Sequence, residues 1–317
     1  MDRPVTNRVV IRGVPGRQRG AALLIAMLIT AIATVLAADL VWERDLDFRR
    51  TSGLLAQDEA FQYALGAEGW AMRILKEDAE DNQYDHPAEE WAMQLPPLPF
   101  PGGTIQGQMF DLQGRFNINN LRDANGASSP EAIEQFRRLL QALQLNPRMA
   151  GLAADWVDQD VEANFPDGAE DGQYLGFDPP YRTANVPMSS VSELFYLGEM
   201  DLESYRLLRP HLTALPGGSL ININTATPEV LLSLSEEVAP GDAEGVLANR
   251  PEEGYEDLAE VAEYLPEGVL GQLTVSSRYF ELRIRVDIGT QRFTMYSLLD
   301  RDPSGVVRPL RRSFNYE

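Results

Sequence analysis

The chain has 317 residues, of which 44% are hydrophobic, and this is enough to bury the cores of about two domains. Its net charge of −21 disfavours binding to nucleic acid or anionic lipid, because like charges repel. The sequence contains no cysteine, which excludes disulfides, thiolate metal sites and cysteine nucleophiles.

The N-terminal segment combines a basic leader with an apolar stretch. Residues 1–20 carry five arginines and one aspartate, and the uncharged stretch runs from Ala21 to Ala38. As a helix it would be about 27 Å long, just enough to cross a bilayer core. Because positive charge precedes the stretch and acidic charge follows it, we expect a single-pass membrane protein with a cytoplasmic N-terminus and an exported body. The alternative is an ordinary signal peptide cut near Ala37 in "VLAAD".

The apolar stretch continues into a predicted amphipathic helix. No proline occurs between Pro15 and Pro87, and apolar residues recur at mostly three- or four-residue steps from Leu54 to Leu75. The pattern predicts one continuous helix from Ala21 to about Asp81.

A long N-terminal helix behind a short basic leader that ends in glycine resembles the type IV pilin superfamily. The resemblance implies that a prepilin peptidase cuts between Gly20 and Ala21 and that the new amine of Ala21 is N-methylated. It also implies that the apolar segment, residues 21–38, is kept as a membrane anchor and later as part of a filament core.

The fifth position after the implied cleavage bond departs from the pilin pattern. Pilins normally carry a glutamate there, which pairs with the N-terminal amine of the subunit ahead, whereas this chain has Ile25. A subunit without that glutamate needs no predecessor. In this feature and along its whole length the sequence is similar to minor pseudopilin K of type II secretion. That family implies a subunit at the tip of the pseudopilus, which initiates and caps assembly for export of folded proteins across the outer membrane.

The same resemblance implies an α+β fold in which a large all-α domain is inserted between the strands of a small antiparallel sheet. We expect a cleaved leader at 1–20 and the transmembrane part of the N-terminal helix at 21–38, in the inner membrane. In the periplasm we expect the amphipathic part of that helix and the first strands of a pilin-like domain at 39–119, the inserted helical domain at 120–272 and the last strands at 273–317. The implied partners are other minor pseudopilins in a trimeric tip, the major pseudopilin, the prepilin peptidase and the inner-membrane assembly platform. The secretin and the secreted cargo are further candidates.

The residues themselves predict strands at both ends of the body. "TIQGQMFDLQGRFNINNL" alternates apolar and polar residues around Gly114, which predicts a strand pair. Strict alternation from Phe280 to Ile288 predicts a half-buried antiparallel strand, with Gly289 in the turn to its partner. A last strand containing Pro309 is expected at an edge of the sheet, because proline lacks a backbone donor.

An acidic loop lies within the predicted helical domain. Seven carboxylates and no basic residue occur from Asp155 to Asp171, and such density predicts a hard cation, Ca²⁺. An EF-hand is excluded, because its template places Ala163 and Ala169 where glycine and glutamate are required. Mg²⁺ keeps its waters, and Zn²⁺ would lack nitrogen or sulfur ligands here.

The pseudopilin K resemblance implies two structural calcium ions held by a "DW-x-D-x-D … GAED-x-x-Y" segment, which stands here at Asp155–Tyr174. Carried over by position, the first-rank ligand candidates are Asp158, Asp160, Glu170 and Asp171. The second-rank candidates are the carboxylates of Asp167 and Glu162, and the following loop offers the amide of Asn185.

Two segments of the helical domain resemble each other. "FNINNL" and "LININT" are each followed by a helix that opens with Pro-Glu, for which Ser129 and Thr227 are the expected caps. Residues 221–265 also resemble the helix-hairpin-helix repeats of DNA-binding proteins. This leaves a second hypothesis, an exported nucleic-acid-binding protein or another membrane-anchored periplasmic binding protein.

The charges around the hairpin argue against nucleic acid as a partner. Four carboxylates stand where phosphate would have to bind, namely Glu236, Glu237, Asp242 and Glu244. Lys76 is the only lysine in the chain, whereas a phosphate-binding face needs several cations.

The sequence indicates a protein that is not an enzyme. It contains no nucleophile elbow and no phosphate-binding Gly-Lys-Ser loop. Its two histidines, His86 and His211, lie in contexts more typical of surface or hydrogen-bonded residues than of catalysts.

Overall fold

The computed structural model describes residues 18–94 and 96–314, with side chains from residue 21 onward. In these ranges the α-helices are α1 (Gln18–Asp81), α2 (Pro130–Ala142), α3 (Met149–Val157), α4 (Asp171–Tyr174), α5 (Leu202–Leu208), α6 (Pro228–Ser233), α7 (Pro240–Ala248) and α8 (Glu267–Leu270). Short 3₁₀ segments are Glu90–Ala92, Ile118–Leu121, Val191–Leu197, Arg209–His211 and Leu258–Val261. The strands are β1 (Leu98–Phe100), β2 (Gly103–Asp111), β3 (Phe116–Asn117), β4 (Leu212–Thr213), β5 (Ile221–Asn222), β6 (Leu273–Thr274), β7 (Tyr279–Ile288), β8 (Gln291–Arg301) and β9 (Val307–Phe314).

Helix α1 confirms the prediction of one continuous helix that ends at Asp81. Residues up to Glu59 form one compact unit and those from Ala60 form a second. In the first unit the apolar side chains are exposed, among them Leu23, Ile25 and Val35. Within the described part of the chain, α1 is the one helix long and apolar enough to cross a membrane.

The main sheet of the second unit is antiparallel, with strand order β1-β2-β7-β8-β9. Its inner face carries the predicted apolar row of β7, which includes Phe280, Leu282 and Ile284, against the C-terminal half of α1. Alanines on α1, such as Ala64 and Ala71, let the helix approach this face closely. The alternation prediction for β7 and the turn at Gly289, whose φ is 55°, are confirmed. Strand β9, which contains Pro309, lies at an edge as predicted.

The predicted strand pair around Gly114 is wrong. Strands occur on both sides of Gly114, but β2 pairs with β1 and β7, whereas β3 pairs in parallel with β4. The cause is a close approach by a distant segment, since a Cβ on Gly114 would lie 2.5 Å from the carbonyl oxygen of Thr225. The chain therefore leaves the sheet here instead of forming a hairpin.

The helical region lies between β2 and β7 in the chain and has its own core, which includes Phe116, Phe136, Leu139 and Leu152. Ser129 and Thr227 cap α2 and α6 as predicted, because their side chains accept hydrogen bonds from the backbone N–H groups of Ala132 and Val230.

The two similar segments also share a backbone arrangement. Each begins with a two-residue strand, β3 or β5, that pairs in parallel with a later one. Asn117 and Asn222 accept hydrogen bonds from the backbone N–H groups of Asn119 and Asn224. The side chains of Asn119 and Asn224 then each bind the N–H of one residue far along the chain and at least one distant carbonyl. The repeated "NIN" letters therefore correspond to a repeated structural unit.

A buried ionic network joins the end of α1 to the end of β8. The Arg301 guanidinium is 2.5 Å from both carboxylate oxygens of Asp85 and 2.7 Å from Asp78. Asp85 also accepts a hydrogen bond from the N–H of Ser277, while its own carbonyl accepts one from Asn222. The network thus connects the helix, the sheet and the helical region.

Candidate functional site

The acidic loop begins where a fully buried helix stops. All nine residues of α3 are buried, and the helix ends at Val157 because Asp158 adopts an extended backbone with ψ 177°. The chain then passes over the surface until Glu170, which is also extended, precedes the short helix α4. These two ends of the loop bring Asp158 and Glu170 close together.

Three carboxylates converge at this point. Asp158, Asp160 and Glu170 each present an oxygen within 4.8 Å of the others. All three were first-rank ligand candidates. Three negative charges at this separation repel one another strongly unless protons or a cation relieve them.

The cluster contains buried oxygen atoms that have no hydrogen-bond partner among the described residues. They are Oδ1 of Asp158, both carboxylate oxygens of Glu170 and Oδ1 of Asn185. The Thr183 hydroxyl lies near Glu170 without forming a hydrogen bond of normal geometry. Since buried polar groups are almost always paired, several unpaired acceptors in one place indicate that a ligand supplies positive charge.

The electrostatics agree with this interpretation. Burial raises the pKa of Asp158 to about 7, and the negative charges of Asp160, Asp155 and Glu170 add to the effect. Burial likewise raises the pKa of Glu170. Both carboxyls are therefore hard to ionise without a neighbouring cation.

Asn185 reaches the cluster from the loop that follows α4. Its backbone is left-handed, with φ 51°, a conformation that asparagine tolerates better than most residues. Its Nδ2 donates to the carbonyl of Asp160 at 2.7 Å, which fixes the amide and leaves Oδ1 buried and unpaired. The structure thus brings this predicted amide together with the three carboxylates.

The other three predicted ligands lie outside the cluster. Asp171 accepts a hydrogen bond from the N–H of Thr183 and lies 3.5 Å from Arg182. Asp167 is 3.5 Å from Arg137. The side chain of Glu162 is exposed to solvent. Cations from neighbouring elements hold the first two carboxylates away, a feature that position within the loop does not reveal.

Asn164, which was not among the predicted site residues, supports the cluster through hydrogen bonds to the carboxylates of Asp155 and Asp158. Its side chain and its N–H both donate to the buried carboxylate of Asp155, and its Nδ2 also lies 3.4 Å from Asp158. The only sequence signal for this role was the presence of an amide side chain within a largely acidic loop.

Aromatic residues around the loop take two different positions. Trp156 and Tyr174 are buried and pack edge to face with ring centroids 5.4 Å apart. Phe165, by contrast, is 97% exposed at the loop surface.

In the helix-hairpin-helix-like segment, Glu236 and Glu237 are exposed on the connection between α6 and α7. The nearby cations are engaged within the fold: Arg138 donates to the carbonyls of Ser233 and Leu234 at the end of α6. The hairpin therefore presents carboxylates, not arginines, to solvent.

The remaining predicted positions can also be located. The Gly20–Ala21 bond lies within α1, and Ile25 is 57% exposed on the apolar segment. The ring of His211 is 2.8 Å from the hydroxyl of the capping residue Thr227, and His86 lies buried beside Glu89. The leader from residue 1 to residue 17 lies outside the described residues.

Family models match two adjacent segments of the chain. Two family models described as type II secretion system protein K match residues 114–217 and 221–276. The type II secretion system protein K of Pseudomonas aeruginosa is 34% identical, spanning 93% of this chain and 92% of the relative. That of Aeromonas hydrophila is 32% identical, spanning 93% and 97%.

A solved structure confirms the predicted α+β fold. A chain in the crystal structure of the GspK–GspI–GspJ complex from the enterotoxigenic Escherichia coli type 2 secretion system matches with a TM-score of 0.76. It is 28% identical, and the match covers 84% of this chain and all of that chain. The predicted resemblance is confirmed over most of the sequence, and the chain belongs to the type II secretion system protein K family.

Proposed function

We propose that this minor pseudopilin occupies the tip of a type II secretion pseudopilus, where it initiates assembly and caps the filament. The observation that carries the proposal is the likeness to a chain from a three-protein complex of the same secretion system. Two other minor pseudopilins are the proposed direct partners, and the major pseudopilin lies behind them. The role is structural, and the chemistry of the chain serves its assembly rather than catalysis.

The N-terminal segment would anchor the subunit before assembly. Its apolar side chains from Ala21 onward are exposed, so they require either lipid or neighbouring helices around them. The arginines of residues 1–20 place the N-terminus in the cytoplasm by the positive-inside rule, with the body in the periplasm. The assembly platform of the inner membrane would receive this anchored form, and the secretin and cargo would meet the tip later.

Processing at Gly20–Ala21 can be tested by the intact mass of the protein extracted from membranes of a host with a complete secretion system. We expect the mass of a chain that starts at Ala21 and carries one methyl group. A chain that starts near Ala38 would instead identify an ordinary cleaved signal peptide and contradict the anchor.

The tip position is tested at residue 25. Ile25→Glu introduces a carboxylate into the apolar segment, at a cost of roughly 2.5–3.5 kcal/mol when no amine ahead of it provides a partner. We expect this variant to lower secretion and pseudopilus assembly, whereas Ile25→Leu leaves both unchanged. Normal secretion by both variants would show that the missing glutamate does not define the role.

We also propose that Asp158, Asp160, Glu170 and Asn185 hold calcium. The donor set is all oxygen, comprises three carboxylates and one amide, and contains unpaired buried acceptors, which suits a hard cation with many ligands. The ion would join the two ends of the acidic loop. A second ion would need further donors, for which Asp171, Asp167 and Glu162 are the predicted candidates.

Thermal unfolding with Ca²⁺ and with chelator tests this site. At a free concentration of 100 times Kd, binding stabilises the folded state by about 2.7 kcal/mol, which corresponds to a rise in Tm of roughly 4–5 °C for a chain of this size. We expect Glu170→Gln to abolish the rise, and Glu162→Gln, a matched change in the same loop, to retain it. In the presence of chelator Glu170→Gln should be more stable than the wild type, because it relieves repulsion.

Equilibrium dialysis with Ca²⁺ provides an independent readout of the same variants. Absence of any Tm change with Ca²⁺ in the wild type, or an equal loss of binding in both variants, would contradict the proposed ligands.

A further inference from the structure

The charges of this protein are distributed unevenly between its helical region and its sheet. Residues 120–272 contain eight arginines and 27 acidic residues. Residues 273–317, which form β7, β8 and β9, contain eight arginines and only five acidic residues. The C-terminal strands are thus a basic segment within a strongly acidic chain.

Five of these arginines lie on the outer face of the sheet, opposite α1, and one of them, Arg308, pairs with the buried Asp300. Arg283 and Arg285 alternate with the buried apolar row of β7, so they point outward. Arg292 on β8 lies opposite Asp287 of β7, and Arg311 on β9 lies opposite Leu298 of β8, so both arginines are on this same face. The side chains of Arg285 and Arg292 are 44% and 62% exposed, and Arg311 is also exposed.

The carboxylates of this face are already neutralised. Glu281 accepts a hydrogen bond from Arg283 at 2.5 Å. Asp287 accepts from both Arg285 at 2.8 Å and Arg292 at 2.9 Å. With Arg308 and Asp300 included, five arginines face three carboxylates, and the face keeps a net positive charge.

Two features make this charge available to a partner. The side chain of Arg311 has no ion pair or hydrogen bond among the described residues. The guanidinium of Arg283 lies over aromatic side chains, 4.4 Å from the ring centroid of Phe110 and 5.8 Å from that of Tyr296. These cation–π contacts order the guanidinium while its remaining N–H groups stay able to bind carboxylates.

Arg115 extends the positive potential towards the helical region. Burial lowers the pKa of its guanidinium. The negative charge of Glu281 raises this pKa, whereas the positive charge of Arg283 lowers it. Arg115 is therefore close enough to reinforce the same electrostatic field.

We infer that the outer face of the sheet, defined by Arg283, Arg285, Arg292 and Arg311, docks an acidic surface of another folded protein. Guanidinium groups bind carboxylates in bidentate fashion, and complementary charge favours the orientation and rate of docking. A nucleic acid or an anionic membrane suits the face less well, because an extended polyanion would also meet the repulsion of residues 120–272. A compact acidic patch can stay within the basic face.

The test measures binding of the full chain in detergent to a fluorescein-labelled peptide of about eight glutamates, whose extended length of ~27 Å spans the three strands. Arg285→Gln with Arg311→Gln should weaken binding about tenfold, a loss of ~1.4 kcal/mol. The control is Arg73→Gln with Lys76→Gln, which removes two charges from α1, where the side chains are 74% and 60% exposed. The control should bind as the wild type does.

Several results would overturn the inference. These are no peptide binding by the wild type, an equal loss in both double variants, or an oligothymidylate of equal charge that binds as tightly and loses affinity in the same variant. Sedimentation tests whether the partner is a second copy of this chain. If the wild type self-associates and the double variant Arg285→Gln with Arg311→Gln does not, the face is assigned to a second copy. Equal melting temperatures of both double variants would confirm that the fold is intact. A lower melting temperature for the sheet variant would attribute its loss of peptide binding to unfolding and reject the docking role of the face.

Discussion

Replacement of Arg301 by methionine tests the buried network that joins α1, the sheet and the helical region. The Arg301 side chain is 8% exposed and donates to two carboxylates, those of Asp78 and Asp85, and to the carbonyls of Ser277 and Leu75. Methionine keeps much of the apolar stem and removes the charge and every donor. Four buried acceptors then lose a partner at once.

The size of the destabilisation follows from the buried carboxylates that are left without a partner. Removal of one partner from a buried ion pair destabilises a protein by about 3–5 kcal/mol, because the other charge stays buried. Here the carboxyls can escape by taking up protons: burial raises the pKa of Asp85 to about 7 and that of Asp78 to about 6. We therefore expect a loss of about 3–5 kcal/mol at pH 8 and less than half of it at pH 5.

Urea unfolding of the full chain in a mild detergent measures this loss. Tryptophan fluorescence provides the signal, because Trp91 and Trp156 are only 3% and 5% exposed, and the Trp91 ring packs 5.1 Å from that of Phe280 in the core between α1 and the sheet. The control is Arg292→Met on the same strand, which breaks a solvent-exposed pair with Asp287 and should cost at most about 1 kcal/mol.

Two outcomes would refute this reasoning. If Arg301→Met and Arg292→Met destabilised the protein equally, burial would not set the strength of the network. If the loss for Arg301→Met were the same at pH 5 and pH 8, the carboxyls would not be the groups left unpaired.

Three further predictions concern stability. Because folded Asp85 binds its proton more tightly than the unfolded chain does, wild-type stability should fall as pH rises from about 4 to about 7, and Asp85→Asn should flatten this decline in urea titrations across that range. Ser129→Ala should cost about 1 kcal/mol through loss of a helix cap, and Thr227→Ala should cost more, because its hydroxyl also contacts His211 at 2.8 Å; urea midpoints of the two variants compare them. Leu75→Ala removes a fully buried side chain between α1 and the sheet and should cost about 3–5 kcal/mol in the same assay; a loss below 1 kcal/mol would show that the site collapses around the change.

Local patterns in the sequence predicted the elements whose causes are local. The end of α1 at Asp81, the alternation of β7 and the caps Ser129 and Thr227 all depend on residues within a few positions of one another. Such signals need no knowledge of the partner segment.

The partner of β2 depends on distant residues and could not be predicted in this way. Alternation around Gly114 indicated strands but not their neighbours, and β2 in fact pairs with β7 from Asp111–Phe280 to Gly103–Ile288. Periodicity specifies which face of a strand is buried, whereas the choice of neighbouring strand is a property of the whole chain.

The candidate calcium site shows the same limit. Charge density located the loop, and three of its first four candidates, Asp158, Asp160 and Glu170, do converge. The fourth, Asp171, lies beside Arg182, and Asn164 has a supporting role that charge counting could not detect. Which carboxylates remain without a counter-charge is decided by arginines on other elements.

The pairing of β2 with β7 requires closure of a loop that contains the whole helical region. The helical region separates the two strands along the chain, yet the N–H of Leu112 and the carbonyl of Tyr279 are hydrogen-bonded at its base. As an unfolded loop this region would impose a large entropic penalty on that contact; once folded around its own core, it holds its two ends together. Order in the helical region therefore lowers the entropic cost of pairing β2 with β7, and loss of order there, for instance at the acidic loop, would raise that cost for the whole sheet.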